Sequence, residues 1–375
     1  MIAADADARQ TGAAAAAHET VAVPSWQQQL ASAVRDPLEL LALLDLAPSD
    51  LGPGVTAESL VAATRSFPLR VPRGFIGRMR RGDARDPLLR QVLALPDELA
   101  AVDGYSSDPL EESRVRDAPG LLQKYAGRAL LVTTGACAVH CRYCFRRHYD
   151  YGADQEEGQP RWNPALEHLA ADPATGEVIL SGGDPLSLGN ARLGSLLAKL
   201  AALPHLKRLR LHTRTPVVLP ERVDAGLLAL LGPWRERLVI VVHANHAAEI
   251  DATVAAALRA LAANAAAVLN QSVLLAGVND DSSALAALSE RLFAAGVLPY
   301  YLHQLDRVQG AAHFAVDDAT ALRLHAGLIA RLPGYLVPRL VRELPGEPGK
   351  TPLATLVAAQ RNQALPDLPT VPGFT

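Results

Sequence analysis

The chain has 375 residues, of which 49% are hydrophobic and 20% are charged, and its mean hydropathy is +0.10. This composition is typical of a globular protein that buries a large core, and it argues against wholesale disorder. The formal charge of -3 arises from 36 basic and 39 acidic residues. The overall charge therefore gives no indication of a nucleic-acid-binding protein or of a membrane-surface protein.

Both ends of the chain are predicted to lie outside the folded core. Residues 1–24 are rich in alanine and lack an apolar period, so we expect a disordered tail. This segment is acidic where a signal peptide needs basic residues, and the sequence lacks the run of about 18 apolar residues that a spanning helix requires. We expect a cytoplasmic protein. Residues 353–375, with Pro366, Pro369 and Pro372, are predicted to form a loosely packed, extended tail.

Residues 25–115 are predicted to form a helical accessory layer. Asp36, Pro37 and Glu39 supply an N-cap, a first-turn proline and a reaching glutamate in front of several leucines, which is the pattern of a helix start. Asp86 begins a second, weaker instance of the same pattern.

Residues 116–352 alternate between short apolar, β-branched runs and stretches with a helical period. This alternation indicates a parallel sheet that is covered by helices, with strands apolar on both faces. The predicted strands are residues 129–134, 177–180, 208–213, 238–243, 268–275 and 298–305, and the predicted helices lie near 190–202, 221–231, 249–263, 281–295 and 317–331. Six such units favour the α/β class, as a partial (β/α)6, TIM-like barrel, over a doubly wound sheet.

Polar or glycine-containing clusters follow the predicted strands. They are residues 137–144, 181–184, 212–214, 243–246, 270–272 and 303–306. Barrel enzymes build their active sites at this rim, because the carboxyl ends of the strands converge on one opening. The sequence therefore predicts one large site that serves more than one cofactor.

The three cysteines of the chain, Cys137, Cys141 and Cys144, lie within eight residues. Their number and crowding argue against a disulfide framework and for a metal site. Three thiolates at this spacing suit a [4Fe-4S] cluster whose fourth iron stays open to S-adenosylmethionine, and the spacing resembles that of the radical S-adenosylmethionine superfamily. The alternative is a structural zinc ion with His140 or His148 as the fourth ligand.

Ser181, Gly182, Gly183 and Asp184 follow the second predicted strand. Glycines allow the backbone to approach a ligand closely, and a carboxylate accepts hydrogen bonds from an ammonium group. Alone, these residues would be equally typical of an ordinary turn. Because they lie one βα unit after the cysteines, the resemblance to the same superfamily implies that they hold the amino group of S-adenosylmethionine.

Lys350 lies in residues 345–352, a segment too rich in glycine and proline for a helix or a strand. Most lysines in such loops are solvated surface groups. A lysine that forms a Schiff base with pyridoxal phosphate must instead be desolvated and held in place, which a rigid loop lining a cavity could do.

From about residue 26 to residue 352 the chain resembles the lysine 2,3-aminomutases, and among them the shorter bacterial branch that makes β-lysine for elongation factor P. Several segments carry this resemblance, in the family's order. They are FPLRVP at 67–72, DPLLRQV at 86–92, DPLEE at 108–112, the cysteine loop, RTPVVLP at 214–220, NQSVLL at 270–275 and GKTP at 349–352.

The resemblance implies a role for individual residues. Lys350 matches the family's lysine that binds pyridoxal phosphate, and Arg146 matches the arginine that binds the substrate carboxylate. Asp306 matches a carboxylate that binds the distal ammonium group of lysine. The other matched residues lie around the cofactors: Lys124, Tyr125 and Arg128 near the phosphate and ring of pyridoxal phosphate, and His243 and Gln271 near S-adenosylmethionine.

Two features depart from the family's best-studied members. Glu343 stands seven residues before Lys350, where those members have a second aspartate. The extra methylene group implies that the substrate sits differently or that the β-carbon has the opposite stereochemistry. The chain also lacks the carboxyl-terminal cysteines with which the clostridial type binds structural zinc, which agrees with the shorter branch.

The resemblance implies an isomerase that converts free L-lysine to β-lysine by radical 2,3-amino migration, with a [4Fe-4S] cluster, S-adenosylmethionine and pyridoxal 5'-phosphate as cofactors. It also implies a functional link to elongation factor P and its lysyl ligase, and it leaves a homo-oligomer open. Two alternatives remain. A related aminomutase would act on another amino acid such as glutamate, although two carboxylates facing the substrate tail select a cation. A non-catalytic, zinc-stabilised module would bind a protein partner.

Overall fold

The computed structural model describes residues 24–156, 159–160 and 162–364. Apart from Pro24, the predicted amino-terminal tail lies outside these residues, as do Pro366, Pro369 and Pro372. None of the described helices is both long enough and apolar enough to cross a membrane.

A ten-stranded sheet forms the centre of the described fold, and a separate two-stranded ribbon accompanies it. The strands are β1 (Arg116–Ala118), β2 (Leu121–Tyr125), β3 (Arg128–Thr134), β4 (Gln155–Glu156), β5 (Gln159–Pro160), β6 (Glu177–Gly182), β7 (Arg208–Thr213), β8 (Leu238–Val242), β9 (Ala267–Val273), β10 (Leu298–His303), β11 (Arg339–Arg342) and β12 (Thr351–Pro352).

The order within the large sheet is β1-β2-β3-β6-β7-β8-β9-β10-β11-β12. The strands from β3 to β11 are parallel and follow one another in chain order, while β1, β2 and β12 add antiparallel edges. The predicted alternation of strand and helix is therefore present, and the six predicted strands correspond to β3 and β6–β10. A sheet wound in one direction in this way is compatible with a partial barrel.

Helices connect the parallel strands and precede the sheet. They are α1 (Trp26–Ala31), α2 (Pro37–Leu43), α3 (Ala57–Ser66), α4 (Arg73–Ile76), α5 (Pro87–Arg90), α6 (Trp162–Ala171), α7 (Asn190–Ala201), α8 (Thr215–Val218), α9 (Ala225–Leu231), α10 (Ala252–Ala262), α11 (Ser282–Ala294), α12 (Asp318–Ile329) and α13 (Leu353–Ala364). Apolar side chains of α7, α9, α10 and α11 share one buried cluster with the strands.

The two faces of the parallel strands differ in character, because successive side chains point to opposite sides. A row of paired residues across five neighbouring strands is buried in the helix-covered core: Leu131, Leu180, Leu211, Ile240 and Val268. Side chains of the opposite face line an internal cavity, and several of them are polar. This finding corrects the expectation of strands that are apolar on both faces.

The amino-terminal helices pack as a layer against the loop that carries the cysteines. Their buried cluster, centred on leucines of α2, α3 and α5, also contains Ala138 and Val139 of that loop. The predicted start at Asp36 is present, since its carboxylate accepts a hydrogen bond from the Leu38 N–H at 2.9 Å. The Asp86 carboxylate likewise accepts hydrogen bonds from the N–H groups of Leu88 and Leu89.

Several elements lie outside the predicted pattern. Strands β1 and β2 precede the first predicted strand, β11 continues the parallel series, and α6 follows the cysteine loop. The prediction that residues 345–352 form no strand is wrong for the last two of them, because Thr351–Pro352 pairs with β11 as strand β12. Helix α13 occupies Leu353–Ala364, and Leu353 is fully buried against α12 and β11. The predicted extended tail is therefore wrong for the first part of residues 353–375, because this segment has an apolar residue that packs.

Candidate active site

A cavity of about 380 Å3 lies against the polar face of the sheet. Every site residue that the sequence predicted lines it: Lys124, Tyr125, Arg128, Cys137, Cys141, Cys144, Arg146, Ser181, Gly182, Gly183, Asp184, His243, Gln271, Asp306, Glu343 and Lys350. These residues are separated by more than two hundred positions in the chain, so the sheet brings the cysteine loop and the lysine loop to one enclosure.

The cysteine loop follows β3 and is held by backbone hydrogen bonds. The Cys144 N–H donates to the Cys141 carbonyl at 3.0 Å, and the His140 N–H donates to the Arg70 carbonyl of the amino-terminal layer at 3.0 Å. Burial raises the pKa of all three thiols, and the charge of Cys141 adds to this effect at Cys144, whose pKa is raised to about 11. Such thiols stay neutral unless a metal cation stabilises their thiolates.

The cysteines and the nearby histidines have distinct surroundings. Across residues 24–156, 159–160 and 162–364, no group of three or more His, Cys, Asp or Glu side chains surrounds one ion position. Each cysteine of an iron-sulfur cubane binds a different iron, so its sulfurs need not converge on one point. His140 Nδ1 lies 2.7 Å from the Pro68 carbonyl and His148 Nε2 lies 3.2 Å from the Gln309 carbonyl.

Gly182 and Gly183 let the end of β6 close onto the segment before the cysteines. Gly182 has a φ of 112°, a conformation that side-chain-bearing residues rarely adopt. A Cβ atom on Gly183 would overlap the Ala136 carbonyl. The Gly183 N–H donates to the Thr134 carbonyl at 2.7 Å, so both glycines are required by close backbone contact.

The carboxylate of Asp184 has protein partners already. It accepts from the hydroxyl of Thr213 at 2.7 Å and from the N–H groups of Arg214 and Thr215 at 2.7 and 2.9 Å. Burial raises the pKa of Asp184, and these hydrogen bonds act against that shift. Asp184 thus fixes the end of β7 in relation to β6, in addition to lining the cavity.

Glu343 joins the two lysines of the cavity. Its carboxylate contacts Lys350 Nζ directly, lies 3.1 Å from Lys124 Nζ, and accepts a hydrogen bond from the Tyr125 hydroxyl at 3.3 Å. Burial would raise the pKa of Glu343, but the charges of Lys350 and Lys124 outweigh it and hold that pKa well below its usual range. Glu343 is therefore an ionised counterion for both lysines.

Asp306 follows β10 and is the second carboxylate of this end of the cavity. Burial, and then the negative charge of Glu343, raise the pKa of Asp306 to about 7. Two carboxylates near each other resist simultaneous ionisation, and a cation placed between them relieves that repulsion. This end of the cavity can bind an ammonium group.

Arg146 also lines the cavity. Its Nε and Nη2 atoms each donate to Glu112 at 2.7 Å, and its Nη1 donates to the Ser181 hydroxyl at 3.1 Å. Arg147, in contrast, turns away and pairs with the buried Glu98 at 2.6 Å. Both arginines are buried, so neither belongs to a solvated basic patch.

Three histidines line the cavity in the neutral form. Burial lowers the pKa of His243 to about 3, with the positive charge of Arg214 as a further cause, and it lowers the pKa of His212 and His303 well below the ordinary value. Gln271 Nε2 lies 2.9 Å from His243 Nε2. In the described part of the chain, the Nε2 atoms of His212 and His303 have no hydrogen-bond partner and remain able to accept or donate to a ligand.

Sequence reasoning missed several lining residues. His212, Arg214 and His303 lie in the clusters that follow strands, where their position alone could have identified them. Glu112 ends the DPLEE segment, but nothing near it in the sequence shows that it contacts Arg146, which is 34 positions away. Tyr301 is also a lining residue, with its ring centroid 5.8 Å from Lys350 Nζ.

Known proteins resemble this chain over most of its length. No protein-family model matches the chain. Curated relatives named L-lysine 2,3-aminomutase include one from Escherichia coli strain K12, 49% identical over 332 residues that cover 88% of this chain and 94% of the relative. The one from Haemophilus influenzae is 45% identical over 87% of this chain and 95% of the relative. The one from Clostridium subterminale is 32% identical over 79% of this chain and 71% of the relative.

Proposed function

This chain belongs to the L-lysine 2,3-aminomutase family, and we propose from that membership that it is an isomerase that converts free L-lysine to β-lysine by moving the amino group from carbon 2 to carbon 3. One observation carries the proposal in the molecule itself: the three cysteines, Lys350 and a pair of carboxylates line the same cavity. The enclosure suits a reaction in which several groups must act on one small substrate at once.

We propose three cofactors: a [4Fe-4S] cluster on Cys137, Cys141 and Cys144, S-adenosylmethionine on its open iron, and pyridoxal 5'-phosphate on Lys350. When bound, the cluster and S-adenosylmethionine supply an organic radical that removes hydrogen from an unactivated carbon, and pyridoxal phosphate carries the migrating amino group. The first assignment is supported by the position of the three cysteines, which lie within one eight-residue loop and all line the cavity.

The chain's own part is to fix the two ends of the substrate. Arg146 would bind the α-carboxylate, and Asp306 with Glu343 would bind the distal ammonium group. Arg146 is buried, and Asp306 and Glu343 are only partly exposed, so limited access of water strengthens these ionic contacts. With both ends held, the carbon atoms between them are kept at one place in the cavity.

The proposal for S-adenosylmethionine includes Ser181, Gly182, Gly183 and Asp184 beside the cluster, and His243 and Gln271 across the cavity. Close approach at the two glycines leaves backbone groups near the cysteine loop. Since Asp184 already accepts hydrogen bonds from its neighbours, backbone atoms of this segment are better placed than its carboxylate to receive an ammonium group.

Arg128 supports the pyridoxal phosphate site more directly than its neighbours do. Lys124 and Tyr125 contact Glu343, whereas the Arg128 guanidinium lies over the Tyr125 ring with no carboxylate partner in the described residues. We propose that Arg128 provides the main charge for the phosphate group, and that Lys124 and Tyr125 act there only if Glu343 moves to the substrate.

The assignment of Lys350 has its own test. Borohydride reduction of the holoenzyme should attach the cofactor permanently to the peptide that contains Lys350, as peptide mass spectrometry would detect. The Lys350→Ala variant should carry no such adduct, while Lys199→Ala, which removes an exposed lysine of α7, should behave as wild type. An adduct on Lys124 in the wild-type protein would refute the assignment.

The two alternatives have less support. A glutamate substrate would bring a third carboxylate to Asp306 and Glu343, which like-charge repulsion opposes. A zinc-stabilised module would need four converging donors, and the described residues contain no such group.

Further proposals rest on the resemblance to the shorter bacterial branch. They are a partial (β/α)6 barrel for the sheet, a cytoplasmic location, and the use of β-lysine to modify elongation factor P. The proposed modification of elongation factor P is tested by mass spectrometry of elongation factor P from cells with and without this protein. Only elongation factor P from cells that have the protein should carry the β-lysyl group.

The function itself is tested by anaerobic reconstitution with iron, sulfide, pyridoxal phosphate and S-adenosylmethionine, followed by chromatography of L-lysine incubated with reductant. We expect β-lysine from the wild-type protein and none from Cys141→Ala. L-glutamate in the same assay should remain unchanged. Recovery of unreacted L-lysine from a protein with a full complement of iron would contradict the proposed function.

A further inference from the structure

Glu112 is a buried carboxylate of the cavity wall that has no part in the proposed reaction so far. It begins a short turn, Glu112–Val115, directly after Glu111, whose backbone has a φ of 50°. The Asp108 carboxylate fixes this turn by accepting from the N–H groups of Glu112 and Ser113 at 2.9 and 3.1 Å. A left-handed conformation is costly for a residue with a side chain and persists where the surroundings enforce it. Glu112 is therefore held at a defined place.

Glu112 occupies one side of the Arg146 guanidinium group. Arginine has five N–H donors. Nε donates to one carboxylate oxygen of Glu112 and Nη2 to the other, while Nη1 donates to the Ser181 hydroxyl. One N–H then remains on each terminal nitrogen, and these two nitrogens form the edge of the guanidinium group that Glu112 does not cover. The two remaining donors can bind the oxygens of one carboxylate.

The same carboxylate contacts a second cation. Lys124 Nζ lies 3.1 Å from Glu112 and 3.1 Å from Glu343, which in turn contacts Lys350. Cations and carboxylates thus alternate in a line from Arg146 to Lys350, with three cations and two carboxylates.

Glu112 stays ionised in this line. Burial would raise its pKa, but the charges of Arg146 and Lys124 lower it below the ordinary value. Without that negative charge, the Arg146 and Lys124 side chains would lie next to each other with no carboxylate between them. Neither side chain would then be held in one orientation by Glu112.

We propose that Glu112 is a positioning residue, which leaves Arg146 a single free edge and so makes the site select substrates with an α-carboxylate. This inference rests on the proposed function, which gives Arg146 its ligand. Glu112 acts through Arg146, and its effect is confined to ligands that have a carboxylate. The short turn that Asp108 stabilises then has the role of orienting the Glu112 carboxylate.

The test compares two ligands that share both amino groups and differ in the carboxylate: L-lysine and cadaverine, 1,5-diaminopentane. Calorimetric titration of the anaerobic holoenzyme without reductant gives each Kd without turnover. We expect Glu112→Gln to raise the Kd of L-lysine about tenfold or more, since a charge-assisted bidentate contact loses its geometry, and to change the Kd of cadaverine less than about twofold. In turnover, KM should rise more than kcat falls.

Glu111→Gln is the matched control, because Glu111 precedes Glu112 but pairs with the exposed Arg114 instead of Arg146. It should leave the affinity for both ligands unchanged. If Glu112→Gln does not fold, Glu112→Asp decides in the same way, because it keeps the charge and withdraws the carboxylate by one methylene group.

Two results would overturn the inference: an equal loss of affinity for both ligands, which indicates a structural role alone, or unchanged or tighter binding of L-lysine. Failure of the proposed function is distinct from either. In that case the wild-type protein makes no β-lysine, whatever the Glu112 variants bind.

Discussion

At the scale of single residues, Glu343 balances the charges of two lysines in the cavity. It contacts Lys350, Lys124 and the Tyr125 hydroxyl, and so keeps both lysines inside the cavity. A substrate ammonium group that binds to Glu343 must displace these lysines from its carboxylate. These contacts join residues that are up to 219 positions apart, so the sequence alone could not show them.

Asp306 gives the site a pH dependence. Its pKa of about 7, raised by burial and then by the charge of Glu343, means that it is neutral below that pH and negative above it. An ammonium ligand favours the negative form, so the affinity for L-lysine should fall as the pH drops through about 7. Calorimetric Kd values across this range test the prediction.

Asp306→Asn should bind L-lysine more weakly and lose this dependence. The cavity histidines 212, 243 and 303 have lowered pKa values and do not titrate in the same pH window. If the Kd for L-lysine depends on pH in the same way in the asparagine variant, Asp306 is not the source of the pH dependence of binding.

The raised pKa of Asp306 also has a consequence for folding. Its contribution to stability is complete below the unfolded pKa and is lost as the pH rises through about 7.

At the scale of elements, the end of β6 and the cysteine loop depend on each other. A methyl group on Gly183 would overlap the Ala136 carbonyl, so Gly183→Ala should displace the loop and lower the iron content after anaerobic reconstitution. Gly189→Ala is the control, because nothing lies within 4 Å of the added atom. Full iron content in Gly183→Ala would show that the loop tolerates the shift.

The elements that sequence reasoning found and missed differ in how they are stabilised. The strands β3 and β6–β10 each carry apolar side chains and alternate regularly with helices, and that pattern predicts them. Strand β2, Leu121–Tyr125, has two polar residues in five, and β11 has only four residues. Such short strands form because the neighbouring strand is already present, which no local pattern shows. The same applies to the antiparallel edge strands.

At the scale of the whole molecule, one buried ionic triad joins three separate parts of the chain. Glu98 of the amino-terminal layer lies 2.6 Å from Arg142 and 2.6 Å from Arg147 of the cysteine loop. Both guanidinium groups lie over the Phe67 ring, and Arg147 donates to the Gly310 carbonyl after β10. The layer is therefore an integral support of the cluster site.

Removal of the charge of Glu98 should destabilise the protein strongly. Glu98→Gln leaves two buried arginines without a counterion, so we expect a loss of about 3–5 kcal/mol in the free energy of unfolding. Urea unfolding would measure it. The exposed Glu290→Gln, on α11, should change the same quantity by less than about 0.5 kcal/mol. Equal stability of the two variants would contradict the role of the triad.

The sequence predicted residues that line the cavity but not the residues that hold them in place. The cysteine spacing, the glycines after β6 and the family's motifs identify residues that line the cavity. Glu98, Arg142 and Glu112 act through contacts across 34 or more positions, and those exist only once the sheet has formed. Long-range ion pairs of this kind leave no periodic pattern in the sequence.

The central claim, that this cavity moves an amino group within one L-lysine molecule, is tested most directly by following the nitrogen. L-lysine labelled with nitrogen-15 at carbon 2 is incubated with the reconstituted, reduced holoenzyme in the presence of unlabelled ammonium, and the product is analysed by NMR. The account predicts β-lysine with undiluted nitrogen-15 on carbon 3. Dilution of that label by ammonium, or lysine that keeps all its label on carbon 2, would contradict it.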